Sequence, residues 1–315
     1  MFFEPLNLVG KRVFVAGAGG MVGSAIVRRL AMEACEVLAP RRAELDLTRQ
    51  QETDLWFDVN RPDVVIMAAG KVGGIVANNT LRAEFIRDNL IMAANVIDAA
   101  HRVQVKKLMY LGSTCIYPRL APQPIAETSL LTGPLEPTNE AYAVAKIAGV
   151  KMCEAYRDQF GCDFISVMPT NLYGPGDNYH PEHSHVVAAL IRRFHYAKIS
   201  GAPDIVVWGT GTPRREFLYV CDLADACVFL LQNYSARDIV NIGTGEDIRI
   251  SEFARLVADV VGYRGRIVFD ASKPDGTPRK LVDVTRLSKL GWHATTGLES
   301  GLRQTYDCFQ SSGLP

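Results

Sequence analysis

The sequence has no surplus of charge, no paired-cysteine motif and no long apolar run, and each absence removes a class of protein. Its 34 Lys and Arg balance 34 Asp and Glu, so it offers no general attraction to a polyanion, and no nucleic-acid partner is expected. Apolar runs such as Val64–Gly70 fall far short of the ~18–20 residues a membrane span needs. Met1–Arg12 lacks a basic run leading into an apolar stretch and a small-residue cleavage site, so it does not read as a signal peptide. The seven cysteines are scattered, with no Cys-x-x-Cys spacing. That disfavours a disulfide scaffold or a zinc site and fits a reduced, cytoplasmic protein. Cys35, Cys153, Cys162, Cys221, Cys227 and Cys308 are expected as small buried hydrophobes.

What is present is 48% hydrophobic residue over 315 positions, enough for two packed lobes. Val13–Ala16, Glu36–Ala39, Val64–Ala68, Lys107–Gly112 and Asp163–Met168 read as strands with little polar alternation, the pattern of a parallel sheet covered on both faces. Helices are predicted between them at Met21–Ala34, Thr48–Asn60, Thr80–His101 and Ala141–Phe160, the last stopped by Gly161. The expectation is an α/β fold: a Rossmann-type doubly wound parallel sheet with a smaller C-terminal α/β substrate-binding lobe. Residues 1–174, rejoined by 216–248, would form the first lobe, and 175–215 with 249–315 the second. In that second lobe helices are predicted at about Val186–Lys198 and Ser251–Val261 and strands at Ile205–Trp208 and Arg266–Phe269. Phe217–Asn233 reads as a strand end entering a helix, and Asp177–His185, Thr210–Arg215 and Lys273–Lys280 read as loops.

The first strand runs into Gly17-Ala18-Gly19-Gly20-Met21-Val22-Gly23 and then a helix. Glycines let a backbone turn sharply and bring its N–H groups, with a helix N-terminus, onto a pyrophosphate. An NAD site places an acid after the second strand, whereas this chain has Arg41 and Arg42. Two guanidinium groups suit a 2′-phosphate, so NADP(H) is favoured over NAD(H). Asp46 either contacts the adenine or caps the helix starting near Thr48.

Tyr142 and Lys146 lie four apart on a predicted helix and share a face. A nearby ammonium is expected to lower the phenol's pKa and ready it to protonate a carbonyl oxygen as hydride reaches the carbon. Lys146 could also hold the nicotinamide ribose. Ser113, just past a strand's C-terminus, can polarise the same carbonyl. Cys115, two residues on in an extended chain, would face the same cleft, and a thiol needs only a modest shift to act as a base, although on composition alone it reads, like the other six cysteines, as a small buried hydrophobe. His185 can donate a proton near neutrality. His180, His183 and His185, with Asp177 and Glu182, invite a zinc reading, but no fixed metal spacing supports it, and no metal is expected.

The glycine turn, Ser113 and the Tyr142/Lys146 pair resemble the extended short-chain dehydrogenase/reductases that act on nucleotide sugars. Over GKVGGIVANNT (Gly70–Thr80), GSTCIYP (Gly112–Pro118), EPTNEAYAVAKIAG (Glu136–Gly149), MPTNLYGP (Met168–Pro175) and DGTPRKLVDVTR (Asp275–Arg286) the resemblance narrows. It becomes one to the bifunctional 3,5-epimerase/4-reductases of GDP-4-keto-6-deoxy-D-mannose, across nearly the whole chain. The resemblance implies NADPH-dependent formation of GDP-L-fucose, with Cys115 and His185 as the pair that inverts carbons 3 and 5. It also implies cofactor contacts from Leu111, Gly112, Pro169, Thr170, Asn171, Leu172 and His185, and GDP-sugar contacts from Arg193, Trp208, Arg215, Asp275 and Lys280. A homodimer is implied as well. One departure is Gly19, where bacterial members often carry a basic residue, which leaves more of the NADP preference to Arg42. A GDP-colitose-type reductase, whose substrate differs by one hydroxyl, stays open. A 4-epimerase is disfavoured by Arg41/Arg42, a 4,6-dehydratase by Cys115-Ile116 where an Asp-Glu pair would stand, and a non-catalytic NADPH sensor by the retained tyrosine and lysine.

Overall fold

The structure is a computed structural model that describes residues 5–181, 184–273 and 275–312. In chain order it begins with β1 (Arg12–Ala16), α1 (Met21–Leu30), β2 (Glu36–Leu38), α2 (Gln50–Asn60), β3 (Val64–Met67), α3 (Ile75–Thr80) and α4 (Arg82–Arg102). β4 (Lys107–Leu111), α5 (Glu140–Phe160), β5 (Phe164–Pro169), β6 (Asn171–Tyr173), α6 (Val186–Ser200), β7 (Asp204–Trp208), β8 (Arg214–Arg215) and β9 (Phe217–Tyr219) follow. The chain continues through α7 (Val220–Asn233), β10 (Val240–Ile242), β11 (Ile248–Arg249), α8 (Ile250–Val261), β12 (Arg266–Asp270), β13 (Arg279–Lys280), α9 (Thr285–Leu290) and α10 (Leu298–Ser311).

Six strands form one parallel sheet in the order β2-β1-β3-β4-β5-β10. Chain direction across the sheet reverses beside β1, since β2 lies on one side of it and β3 on the other. The crevice at such a reversal is where doubly wound sheets bind ligands. Side chains alternate across β1: Val13 and Val15 join a core with Ile26 and Leu30 of α1 and Leu223 and Leu230 of α7. Phe14 and Ala16 join the opposite core with Phe57, Val96, Ile97 and Val150. That is the period-two geometry of a strand buried on both faces. A third core, with Phe194, Phe253, Val257 and Leu302, holds α6, α8 and α10 together, and the Phe217 and Phe253 rings stack there at 4.2 Å.

The predicted strands and helices of the first half are present, with shifted ends. α5 stops at Gly161, which takes φ +72 and donates its N–H to the Arg157 carbonyl at 3.0 Å. α1 ends four residues earlier than predicted because the chain turns at Ala31–Cys35 to pair Glu36 with Arg12 on β1. The predicted Thr80–His101 helix begins at Arg82, set off from α3 by the non-helical Leu81. Two predicted loops end in strands: Arg214–Arg215 pairs with Arg279–Lys280 on one side and with β11 on the other. β6, β10, α9 and α10 had no counterpart in the prediction. Among the other cysteines, Cys153 and Cys227 are buried, Cys35, Cys162 and Cys308 are half-buried, and Cys221, on the exposed side of the first turn of α7, is not the buried residue expected. No helix among the described residues is long and apolar enough to cross a membrane.

Candidate active site

β1 delivers the chain to Gly17 at φ +84. A Cβ there would sit 2.7 Å from the backbone of Ala69, just past β3, and one on Gly23 would overlap the Gly17 carbonyl. Only glycine allows this double close approach. Gly19 has open space around it and Gly20 is the N-cap of α1, while Ala18, Met21 and Val22 pack against the core beneath. The first N–H groups of α1 therefore meet the crevice beside β3, where no backbone acceptor exists for them within the helix. The cradle fits a dinucleotide pyrophosphate. Arg41 and Arg42 are both exposed just beyond β2. Asp46 accepts the N–H and hydroxyl of Thr48 at 3.0 and 2.8 Å, and those bonds hold its carboxyl below the usual range. Asp46 shapes the turn into α2 without being its N-cap, which is Arg49.

Ser113 follows the end of β4, and α5 lays Tyr142 and Lys146 beside it. Lys146 is buried, donates to the Leu111 carbonyl at 2.8 Å and stands 4.9 Å from the Tyr110 ring centroid. Burial brings its pKa down to about 8. The Tyr142 phenol moves up instead of down: burial and the facing Cys115 raise it, opposed by a hydrogen bond with Ser113. The expected lowering by Lys146 is absent because the ammonium is directed at Leu111 and lies 5.9 Å from the Tyr142 ring centroid. Tyr142 thus keeps its proton at neutral pH, the state a proton donor requires.

Cys115 does not continue an extended chain. Ser113 is extended, but Thr114–Ile116 coil into a short 3₁₀ turn in which the Cys115 N–H donates to the Ser113 hydroxyl at 3.3 Å. The turn places Cys115 in a cleft also lined by Tyr117, Glu136, Asn139, Arg279 and Lys280. Lys280 donates to the Cys115 sulfur at 3.5 Å and Asn139 donates to it at 3.4 Å. Lys280 also opposes Arg215 in the β8/β13 register, so two of the sequence-predicted cations come from neighbouring positions on paired strands. Burial lowers the Arg215 pKa, and the carboxylates of Asp275 and Glu136 oppose that shift.

Other predicted residues lie further from this group or serve the scaffold. His185 is the N-cap of α6. The residue as a whole is exposed, while burial of its ring by the surrounding protein lowers its pKa. No hydrogen bond joins it to Cys115 or Tyr142. Arg193 donates to the Val206 carbonyl, tying α6 to β7. Trp208, 57% exposed at the end of β7, has the Lys273 ammonium 5.6 Å from its ring centroid. Asp275 binds the Thr210 N–H and hydroxyl at 2.7 and 2.8 Å. Pro169 ends β5, the buried Thr170 donates its N–H to Ile242 at 2.9 Å, and the Asn171 amide donates to the Glu216 carbonyl at 2.8 Å. Leu172 continues into β6. His183 and Glu182 of the zinc reading lie outside the described residues.

The sequence reading missed Glu216 and Asn89. Glu216 is fully buried, and its carboxylate accepts the N–H groups of Thr244, Gly245 and Val282 at 2.7, 2.8 and 3.0 Å. Burial raises its pKa while these bonds oppose the rise. The signal available was one acid at the head of the apolar run Phe217–Val220. Asn89 clamps the corner after Gly70 through the Lys71 N–H and carbonyl, both at 3.0 Å.

A glycine cradle at the sheet's switch point, with Ser113, Tyr142 and Lys146 beside it, defines a nicotinamide-dependent enzyme of the short-chain reductase class. The chain belongs to the NAD dependent epimerase/dehydratase family, whose model matches residues 13–243. It is 58% identical over 299 residues to GDP-L-fucose synthase 1 of Arabidopsis thaliana, covering 95% of this chain and 93% of that one. A GDP-L-colitose synthase of Yersinia pseudotuberculosis is 38% identical over 300 residues, covering 95% and 97%. The crystal structure of a GDP-L-fucose synthetase from Naegleria fowleri bound to NADP superposes with a TM-score of 0.91 at 28% identity, covering 99% and 98%.

Proposed function

We propose that this site carries out the two-stage conversion of GDP-4-keto-6-deoxy-D-mannose to GDP-L-fucose, with NADPH as reductant. The similarity to GDP-L-fucose synthases at 58% identity, against 38% for the colitose enzyme, supports the fucose-type substrate. The observation that carries the two-stage reading is the second cluster beside the reductase residues: Cys115 with Lys280 and Asn139 on its sulfur. A reductase alone has no use for a thiol in that position.

The 4-keto group acidifies the hydrogens on carbons 3 and 5, because the electron pair left behind is delocalised as an enolate. Cys115 takes such a proton and His185 returns one to the opposite face. Arg215 and Lys280 meet the negative charge of the diphosphate, while Trp208 offers an apolar face to a ring. For the second stage, NADPH held beside Lys146 would supply the hydride that carbon 4 takes up. Tyr142 gives its proton to the carbonyl oxygen, Ser113 polarises that oxygen, and Lys146 holds the nicotinamide ribose. The Gly17–Gly23 cradle and Arg41/Arg42 hold the dinucleotide, with Leu111, Gly112 and Pro169–Leu172 bordering its nicotinamide end. We assign the active form as a homodimer on the family resemblance.

The test supplies the keto sugar with NADPH or NADH separately, follows cofactor absorbance and identifies the product by NMR. Oxidation of NADPH with a 6-deoxy-L-sugar product is expected. No oxidation of either cofactor sinks the reductase reading, and preferential use of NADH sinks the cofactor assignment. A Cys115→Ser variant that still yields the L-configured product at full rate removes Cys115 from the chemistry.

A further inference from the structure

The helix that carries Tyr142 and Lys146 begins at Asn139, and that asparagine is not used as a cap. An N-cap asparagine ordinarily turns its side-chain oxygen onto the N–H of the second or third helical residue. Asn139, at φ −129 and ψ 14, makes no such bond. Its Nδ2 instead donates to the Cys115 sulfur at 3.4 Å, and its Oδ1 is buried with no hydrogen-bond partner. A residue type suited to capping thus leaves the helix uncapped and an oxygen unsatisfied in order to touch one sulfur atom.

That sulfur receives a second donor, the Lys280 ammonium at 3.5 Å. Two donors on one sulfur fit its use as a hydrogen-bond acceptor. The other titratable or charged groups facing this cleft are Tyr142 from α5, Tyr117, whose hydroxyl donates to the Asn241 side chain at 2.6 Å, and the charges of Glu136, Arg119 and Arg279. Arg119 pairs with Glu136 at 3.2 Å and Arg279 with Asp247 at 2.5 Å, so their charges are largely answered within those pairs. Lys280 reaches the sulfur on a flexible four-carbon stem. Asn139 reaches it from a fixed backbone, its N–H bonded to the Glu136 carbonyl at 3.1 Å and its carbonyl to the Ala143 N–H at 2.9 Å.

We propose that Asn139 is the positioning residue of the epimerase stage: its side-chain amide fixes the Cys115 sulfur as a hydrogen-bonded acceptor for the carbon-bound proton of the keto sugar. This rests on the reading of Cys115 as the proton-transfer residue. In the step, the C–H bond breaks, an S–H bond forms, and the electron pair moves into the enolate of the 4-keto group. Lys280 balances the charge on the sulfur before the transfer, and Asn139 sets its direction.

The test uses Asn139→Ala, Asn139→Asp and Cys115→Ser in the full chain. Deuterium uptake at carbons 3 and 5 of GDP-4-keto-6-deoxy-D-mannose is followed in D₂O by NMR without reductant. The pH profile of Cys115 alkylation by iodoacetamide is read by peptide mass spectrometry, and NADPH affinity and thermal midpoint are measured alongside. One lost hydrogen bond to a charged acceptor predicts roughly tenfold slower uptake in Asn139→Ala. Its alkylation profile should move to higher pH, with NADPH affinity within about twofold of the parent. Asn139→Asp, which places a like charge beside the sulfur, should lose more. Wild-type uptake and an unmoved profile in Asn139→Ala, with uptake abolished in Cys115→Ser, overturn this proposal and leave the Cys115 reading standing. Full uptake in Cys115→Ser overturns both. A joint fall in uptake, NADPH affinity and thermal midpoint with an unmoved profile also overturns the proposal, because the role is then one of helix integrity.

Discussion

The Glu216 carboxylate accepts the backbone N–H of Val282 at 3.0 Å, two residues beyond Lys280. The same carboxylate binds Thr244 and Gly245, just after β10. One buried acid therefore ties the strand carrying Lys280 to the carboxyl end of the main sheet. Glu216→Ala leaves three N–H groups without their acceptor, each worth about 1–3 kcal/mol if it stays buried and not fully additive. A loss of about 3–5 kcal/mol is expected, by analogy with breaking other buried charged networks. Glu216→Gln, which keeps one acceptor oxygen, should lose less. Urea unfolding measures both, and an unchanged midpoint for the alanine variant rules out this anchoring role.

Lys280 should matter more to epimerisation than to cofactor handling, because its ammonium lies on the Cys115 sulfur. Lys280→Met removes a charge-assisted bond worth about 1.5–3 kcal/mol, or roughly 10–150-fold in rate. Deuterium uptake by the keto sugar should fall in that range while the NADPH dissociation constant stays put. If KM for the GDP-sugar rises and uptake at saturation is unaffected, Lys280 serves the diphosphate alone.

The lowered pKa of Lys146 gives a pH signature. Its folded value of about 8 lies below the ordinary 10.5, through burial. Below pH 8 the group is charged in both states, and the cost of burying that charge, roughly 3 kcal/mol, is fully present. Between about pH 8 and 10.5 the unfolded chain binds the extra proton, so this group makes the native chain relatively more stable as pH rises. Lys146→Met should therefore lose reductase activity by at least about a hundredfold yet be less destabilised, or even stabilised, near pH 7. That relative advantage should shrink by pH 9.5. Denaturant unfolding of both proteins at the two pH values checks this, and a stability difference independent of pH contradicts it.

How much of this was legible depended on the length of the signal. β1, β3, β4 and β5 showed as apolar runs because both of their faces are buried, and α4 and α5 are long enough for their period to show. β8, β11 and β13 are two residues each and draw their pairing from distant partners, so no local pattern marks them. Ser113, Tyr142 and Lys146 were readable from spacing and strand position. The contact of Lys280 with Cys115 was not, because it depends on how Arg279–Lys280 pairs with β8. The phenol's upward shift was misread for a related reason. Sequence spacing puts Lys146 on the same helix face as Tyr142, but only the fold shows the ammonium bonded to Leu111.

Discrimination between the two nicotinamide cofactors should rest on Arg42 and Arg41. Gly19 supplies no side chain and has open space around it, so the loop itself offers no cation to a 2′-phosphate. Both arginines are exposed past β2, and Arg41 also has its backbone N–H held by the Glu44 carboxylate at 2.7 Å. Arg42→Ala should raise the NADPH dissociation constant about 10–100-fold, the worth of one charge-assisted contact to a phosphate, and leave that of NADH within about twofold. Because the site is exposed, the NADPH advantage of the parent chain should itself shrink as salt rises from about 0.05 to 0.5 M. Gly19→Arg should act in the opposite sense and tighten NADPH, since it restores a cation facing the same phosphate. Fluorescence titration of each variant with both cofactors gives the four constants. Equal loss of NADPH and NADH in Arg42→Ala would mean that the residue supports the fold of the β2 turn and does not read the phosphate.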